Sequence, residues 1–112
     1  MQGVGSLQTA VINTIKYSKN IKMKQIQPVS IWYNGQFTNA NIFNLYSIND
    51  NLTNSATFYF ALFSGTMDEI GVKLAEGNLT MDGADYTNYS SNPDSNTFAY
   101  SWGASKLNLT II

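Results

Sequence analysis

The eight residues 56–63, with the sequence ATFYFALF, are the most hydrophobic stretch of the chain and decide its fold class. Their length, their aromatic side chains and the polar residues on either side favour a β-strand over a helix. Because alternate side chains of a strand point to opposite faces, both faces of this strand are apolar. Phe58, Phe60 and Leu62 form one face, and Tyr59, Ala61 and Phe63 form the other.

A strand that is apolar on both faces has to be covered on both. At roughly 25 cal/mol per Å² of apolar surface, leaving one face in water forfeits several kcal/mol of the ~5–15 kcal/mol that stabilises a domain. One cover can come from within a chain of 112 residues. We expect the second cover to be either a helix of the same chain or a neighbouring subunit.

The residues on both sides of this stretch predict further strands and one helix. Asn34-Gly35 separates residues 29–33 from residues 36–38 and predicts a hairpin with a type I′ turn. Further strands are predicted over residues 42–48, 72–81 and 107–112. Within residues 72–81, Gly77 marks either a β-bulge or, with Glu76, a hairpin turn.

Asp94 or Ser95 can cap a short helix that runs to Lys106, with Phe98 and Trp102 on one face. We expect Trp102 to belong to the core. The predicted fold is mostly β: a sandwich-like antiparallel sheet of five or six strands, one short C-terminal helix and an N-terminal arm.

Charge divides the chain into an arm, residues 1–24, and a β-rich domain, residues 25–112. The domain has two lysines against seven acidic residues, a net charge of −5, whereas the arm has no acidic residue. The arm is a short helix or an extended segment, and translation starts at Met1 or at Met23. We expect it to dock on a neighbouring subunit through its lysines, which are Lys16, Lys19, Lys22 and Lys24.

The chain has no Cys, His or Arg, which excludes thiolate and imidazole chemistry and the usual zinc sites. Ser105-Lys106 are neighbours and do not face each other on a helix, and Asp68-Glu69 is typical of a turn. We therefore expect no enzymatic activity and no cofactor. A minority hypothesis is a Ca²⁺ site in one loop region, with oxygen ligands from Asp82, Asp85, Asn92 and Asp94.

The low charge content and the absence of long apolar stretches indicate which partners the chain can have. Only 12% of residues are charged, about half the usual share of ~25%, which suggests a surface that partners cover. Four lysines without arginine do not favour nucleic-acid binding, and no apolar stretch reaches the ~20 residues of a membrane span. Because the N-terminus lacks secretory-signal features, we expect synthesis in the cytoplasm.

Aromatic side chains are the main candidates for binding. Tyr and Trp are enriched at protein interfaces, and they also stack on sugars. Our predicted interface consists of Trp32, Tyr33, Tyr59 and Phe63 together with the four lysines of the arm. The alternative is a sugar platform formed by Trp32 and the Tyr86 to Tyr89 loop.

Three segments resemble small, uncharacterised virion proteins encoded among the structural genes of tailed bacteriophages. They are residues 31–35 (IWYNG), residues 74–86 (LAEGNLTMDGADY) and residues 107–112 (LNLTII), and the similarity extends over residues 25–112. The resemblance implies a virion structural or accessory protein, such as a head-decoration, tail or baseplate component. Its partners would be other virion subunits and further copies of itself. The alternatives are a carbohydrate-binding or host-recognition module, and a small phage-encoded enzyme or inhibitor acting in the host cell.

Overall fold

A computed structural model of the protein describes residues 23–112, so the predictions for Lys16, Lys19 and Lys22 lie outside the described residues. The described chain is mostly β, as predicted, and forms one antiparallel sheet with strand order β1-β2-β3-β4. The elements are β1 (Lys24–Tyr33), β2 (Gln36–Asp50), β3 (Ser55–Gly65), β4 (Ile70–Asp82), α1 (Gly83–Ser91) and α2 (Ser95–Leu107).

The described residues form four strands in a single sheet, instead of the predicted five or six strands in a sandwich. Residues 36–38 and 42–48, predicted as separate strands, are parts of the one long strand β2. Residues 39 and 40, which lie between the two, pair with Ser30 and Val29 of β1. The side-chain amide of the next residue, Asn41, donates a hydrogen bond to the Gly65 carbonyl, at 3.0 Å.

The last residues of the chain account for the other missing strand. Asn108 ends α2 in the left-handed conformation, with φ of 59°. The segment after it runs along β1, where the Gln27 amide donates to the Thr110 carbonyl and the Ile112 amide donates to the Gln25 carbonyl. This pairing amounts to a single bridge between Ile26 and Ile111, not to a full strand.

Strand β4 is continuous, so Glu76-Gly77 is not a turn. The register of β4 against β3 shifts between Lys73 and Ala75, which leaves Leu74 as the additional residue of a bulge. Gly77 lies directly opposite Phe60, and a Cβ at Gly77 would come within 2.8 Å of the Phe60 ring. Gly77 therefore makes room for an aromatic ring, and the bulge lies three residues earlier than predicted.

Helix α2 confirms the predicted C-terminal helix. It begins after Asp94, whose carboxylate accepts a hydrogen bond from the Thr97 amide, at 3.1 Å. Helix α1 was not predicted, because its sequence GADYTNYSS is rich in residues that favour turns. Its preceding residue, Asp82, makes no capping hydrogen bond with its side chain. In residues 23–112 no helix is long and apolar enough to cross a membrane.

Both helices pack on the same face of the sheet. The ring centroids of Phe58 and Trp102 lie 5.6 Å apart, and those of Phe43 and Tyr100 lie 5.2 Å apart. Gly103 lets α2 approach β2 closely, because a Cβ there would lie 3.1 Å from Leu45. The Phe58 face of β3 is thus covered from within the chain, and Trp102 is buried as expected.

Candidate protein-interaction surfaces

The sheet face that points away from α1 and α2, here called the outer face, carries the alternate residues of β3. Tyr59, Ala61 and Phe63 lie on it, because Phe58, Phe60 and Leu62 point to the helices. Neither helix packs on the outer face.

Burial differs from place to place on the outer face. Ile42 and Ala61 are fully buried, whereas Tyr46 is about half exposed. The exposed part lies towards the end of β2 that is far from the hairpin turn. Part of the outer face, around Tyr46 of β2, therefore remains exposed in the described chain.

Tyr46 and Tyr59 are cross-strand neighbours on the outer face, with ring centroids 5.2 Å apart. The Tyr59 hydroxyl donates a hydrogen bond to Glu76 Oε1, at 2.6 Å, and Lys73 Nζ lies 3.2 Å from the same oxygen. Lys73 Nζ also lies 5.7 Å from the centroid of the Tyr59 ring. These contacts hold the two rings in position on the outer face.

The same contacts set the charge state of this cluster. The Tyr59 hydroxyl and then Lys73 lower the pKa of Glu76 below its usual value, because both stabilise the carboxylate. Hydrogen bonding with Tyr59 and Glu76 raises the pKa of Lys73. Glu76 is therefore an anion and Lys73 a cation at neutral pH, so the pair adds no net charge to the outer face.

A second exposed surface lies at the tip of the β1–β2 hairpin. Asn34 and Gly35 have φ of 50° and 85°, as the predicted type I′ turn requires, and pair Trp32 with Phe37. The Trp32 and Phe37 rings meet edge to face, with centroids 5.1 Å apart. Trp32 is 64% exposed and Phe37 is 70% exposed.

The direction of these two rings follows from their neighbours. Ile31 and Tyr33 are half-buried and pack against the core, so Trp32 and its partner Phe37 point away from the core. We call Trp32 and Phe37 the aromatic tip.

The residues predicted as an interface lie in different places. Trp32 is on the aromatic tip, Tyr59 is half-buried on the outer face, and Phe63 is half-buried beside Ile42. Tyr33 packs against the core. Lys24, grouped with the arm in the sequence analysis, is the first residue of β1.

The surroundings of Lys24 also belong to the folded domain. Its Nζ atom lies 5.7 Å from the centroid of the Tyr100 ring, within reach of a cation–π contact. The charge of Lys24 also contributes to the lowered pKa of Asp94, after the hydrogen bonds from Thr97. Lys24 therefore has partners within its own chain.

Sequence reasoning missed Phe37, Tyr46 and Ile48 as exposed side chains. Phe37 could have been found, because a two-residue turn at Asn34-Gly35 fixes Trp32 opposite Phe37. The exposure of Tyr46 and Ile48 could not have been predicted. The strand predicted over residues 42–48 was apolar on both faces, so nothing indicated that either face would be exposed to solvent.

The proposed sugar platform does not assemble. Tyr86 is only 5% exposed, and its hydroxyl donates to Asp50 Oδ1, at 2.8 Å. Asp50 ends β2, whereas Phe37 lies near its start, about 40 Å away at ~3.3 Å per residue. Trp32 and Tyr86 are thus at opposite ends of a molecule whose longest dimension is 47 Å.

Two of the four candidate calcium ligands, Asp85 and Asp94, have other roles. Asp85 accepts a hydrogen bond from the Trp102 indole, at 3.2 Å, and Asp94 caps α2. Within residues 23–112, no three acidic side chains lie close enough together to hold a metal ion. These contacts explain Asp85 and Asp94 without a bound cation.

A cleft of about 360 Å³ crosses β2, between the start of β1 and the β3–β4 turn. Pro28, Ile42 and Met67 contribute to its lining, and Asp68 is its one ionisable side chain among the described residues. General acid–base catalysis usually employs more than one converging group. The cleft therefore gives no support to an enzymatic role.

Comparison with known protein families, curated proteins and solved structures gave no match to this chain.

Proposed function

We propose that this protein is a structural or accessory component of a bacteriophage particle, as a head-decoration, tail or baseplate subunit. It acts by packing against other virion subunits and against further copies of itself, without catalysis or a cofactor. The setting comes from the resemblance of residues 25–112 to small virion proteins. The mode of action comes from the uncovered outer face and the aromatic tip.

The exposure of Trp32 and Phe37 carries the proposal. Two large rings in water at a hairpin tip contribute little to the stability of the isolated domain, whereas burial against a partner stabilises the complex. At roughly 25 cal/mol per Å², burying two such rings contributes several kcal/mol. Exposed aromatic anchors of this kind dominate the energy of many protein interfaces.

The charge distribution of the outer face supports the same conclusion. Its exposed rings alternate with Asn and Thr side chains, and Lys73 and Glu76 neutralise each other. Neutral polar groups cost less to desolvate than unpaired charges. A partner that covers Tyr59 and its neighbours Lys73 and Glu76 would therefore bury a neutral pair and not an isolated charge.

The proposal is tested in particles purified from the phage that encodes the chain. Mass spectrometry should detect the wild-type protein in stoichiometric amounts after the particles are banded on a density gradient. Trp32→Ala combined with Phe37→Ala should reduce incorporation at least tenfold, because two anchors are lost. The absence of the wild-type protein from particles would contradict the proposal.

Leu52→Ala is the matched control for this experiment. Leu52 is also apolar and is 83% exposed, but it lies in the β2–β3 turn, away from the aromatic tip and the outer face. Its substitution should leave incorporation unchanged. Equal losses with both variants would show that general surface hydrophobicity, not the aromatic tip, determines incorporation.

The carbohydrate-binding alternative now depends on the aromatic tip alone, because Tyr86 is buried. Trp32 and Phe37 meet edge to face, so they do not form one flat platform. A glycan array read with the wild-type protein and Trp32→Ala separates the two functions. Saturable sugar binding that Trp32→Ala abolishes would favour host recognition over assembly.

A further inference from the structure

The two edges of the sheet differ in how far the described chain covers them. The β1 edge is partly covered, because residues 110–112 pair with it. The β4 edge has no strand beside it anywhere in residues 23–112. Strand β4 is 13 residues long, and an edge of that length is a template for pairing with another chain.

The hydrogen bond of Leu45 shows which backbone groups of β4 point outward. The Leu45 amide donates to the Tyr100 hydroxyl and so points away from β3. Leu45 and its partner Phe60 therefore form a pair that exchanges no backbone hydrogen bonds. It follows that the backbone of Phe60 points to β4, where it bonds with Gly77.

The direction of the backbone groups alternates along β4 from Gly77. Gly77 and Leu79 use their amides in the ladder with β3, whereas the residues between and beside them do not. The outward groups therefore belong to Glu76, Asn78 and Thr80. All three are exposed, and their side chains lie on the same face as Tyr59.

Charges along the edge favour one register for pairing with a second copy. In a two-fold antiparallel pair, residues equally far from the axis lie opposite each other. Lys73 and Asn78 are five residues apart in the sequence, but the bulge residue Leu74 does not count as a step of the ladder. Lys73 therefore lies four ladder steps from Asn78. Asp82 lies four steps from Asn78 in the other direction, and its carboxylate makes no capping hydrogen bond.

An axis at Asn78 therefore places Lys73 of each copy opposite Asp82 of the other. An axis at Glu76 would place two glutamates opposite each other, and like charges directly opposite destabilise a sheet. Among these registers, the one centred on Asn78 joins opposite charges at both ends of the paired segment.

We propose that two copies of the protein join through β4, antiparallel about a two-fold axis at Asn78. The two sheets then form one continuous sheet held by about six backbone hydrogen bonds from the outward residues. This inference names the contact for the self-association in the proposed function, but it does not depend on a phage particle. Because a strand edge buries little area, the dimer dissociates on dilution.

Asn78→Pro tests the contact in the full-length chain. Proline removes the central outward amide but spares the ladder with β3, because the Asn78 amide is not used there, and edge strands tolerate proline at such positions. Sedimentation velocity should show a concentration-dependent dimer for the wild type and for the control Asn78→Ala. Asn78→Pro should be monomeric over the same concentration range, with the circular dichroism spectrum of the wild type.

Disulfide trapping gives a second test that needs no proline. The chain has no cysteine, so Asn78→Cys carries a single thiol. The axis would place two copies of residue 78 about 5.5 Å apart between Cα atoms, within the range that a disulfide spans. Oxidation should crosslink Asn78→Cys at least tenfold faster than Asn34→Cys at the exposed hairpin turn.

Three results would overturn the inference: a monomeric wild type at all concentrations, a dimer that survives Asn78→Pro, or equal crosslinking of the two cysteine variants. A monomer that is nevertheless found in purified particles would overturn this contact and leave the proposed function standing. A β4 dimer that is absent from particles would support this contact and contradict the proposed function.

Discussion

The Tyr100 hydroxyl lies 3.0 Å from the backbone nitrogen of Leu45 and accepts its hydrogen bond. The described pairing of β1 with β2 begins at Lys24 opposite Phe43, so no residue of β1 reaches Leu45. A side chain of α2 thus replaces a neighbouring strand at this position. The hydroxyl also lies 3.4 Å from Asn44 Oδ1, to which it donates.

Tyr100→Phe should destabilise the fold by about 1–3 kcal/mol, because a buried Leu45 amide loses its partner while the ring remains. Urea unfolding followed by circular dichroism measures the difference. Tyr46→Phe is the control, because the Tyr46 side chain is half exposed. Removal of its hydroxyl should change the free energy of unfolding by less than ~0.5 kcal/mol. Equal effects of the two variants would show that the Leu45 bond contributes nothing.

Stability should fall at alkaline pH. Burial raises the pKa of Tyr100 above its ordinary value of 10.0, although the bond from Leu45 partly opposes the rise. The folded state then holds this proton more tightly than the unfolded chain does. The contribution is therefore complete below pH ~10 and is lost as the pH rises from there through the folded pKa.

Urea unfolding at several pH values between about 8 and 11 checks this dependence. The loss of stability above pH ~10 should be smaller in Tyr100→Phe than in the wild type. It should not vanish, because the hydrogen bond to Asp50 raises the pKa of Tyr86, and burial raises that of Tyr89. Identical slopes in the two proteins would contradict the assignment to Tyr100.

Gly103→Val should destabilise the fold by about 1–3 kcal/mol through overpacking. A Cβ at Gly103 would lie 3.2 Å from the Phe43 ring, and the two methyl groups of valine would push α2 further from β2. Ser101→Val in the same helix is exposed and tests helix propensity alone, with a change below ~0.7 kcal/mol. Thermal unfolding of the two variants should therefore give clearly different midpoints.

Leu52→Gly should stabilise the protein by up to about 1 kcal/mol. Leu52 has φ of 62°, a conformation that costs a residue with a Cβ roughly 1–2 kcal/mol, and its exposed side chain has little packing to lose. The greater freedom of glycine in the unfolded chain offsets part of the gain. Leu52→Ala keeps the Cβ, so it should not raise the unfolding midpoint, and equal midpoints would contradict strain at this residue.

Local signals in the sequence predicted several features correctly. Asn34-Gly35 gave the turn, and Asp94 gave the start of α2, because each depends on the chemistry of neighbouring residues. The two apolar faces of β3 also led to the expectation that a helix covers one of them. These features require no knowledge of distant contacts.

The remaining features depend on contacts far along the chain. The hydrogen bond from Asn41 to Gly65 joins residues that are 24 positions apart in the sequence, and no local pattern indicates it. Helix α1 forms where Tyr86 and Tyr89 can pack near Phe58 and Asp50, although its own sequence favours a turn. For the same reason the sequence alone did not show that both helices would cover the same face.

We propose that the aromatic tip and the exposed part of the outer face are buried by other subunits. Hydroxyl-radical footprinting, read by mass spectrometry, measures this directly by comparing the isolated protein with the assembled particle. Trp32, Phe37 and Tyr46 should be labelled in the isolated protein and at least fivefold less in the particle, whereas Leu52 should be labelled equally in both. Equal labelling of the three aromatic residues in both states would contradict the claim.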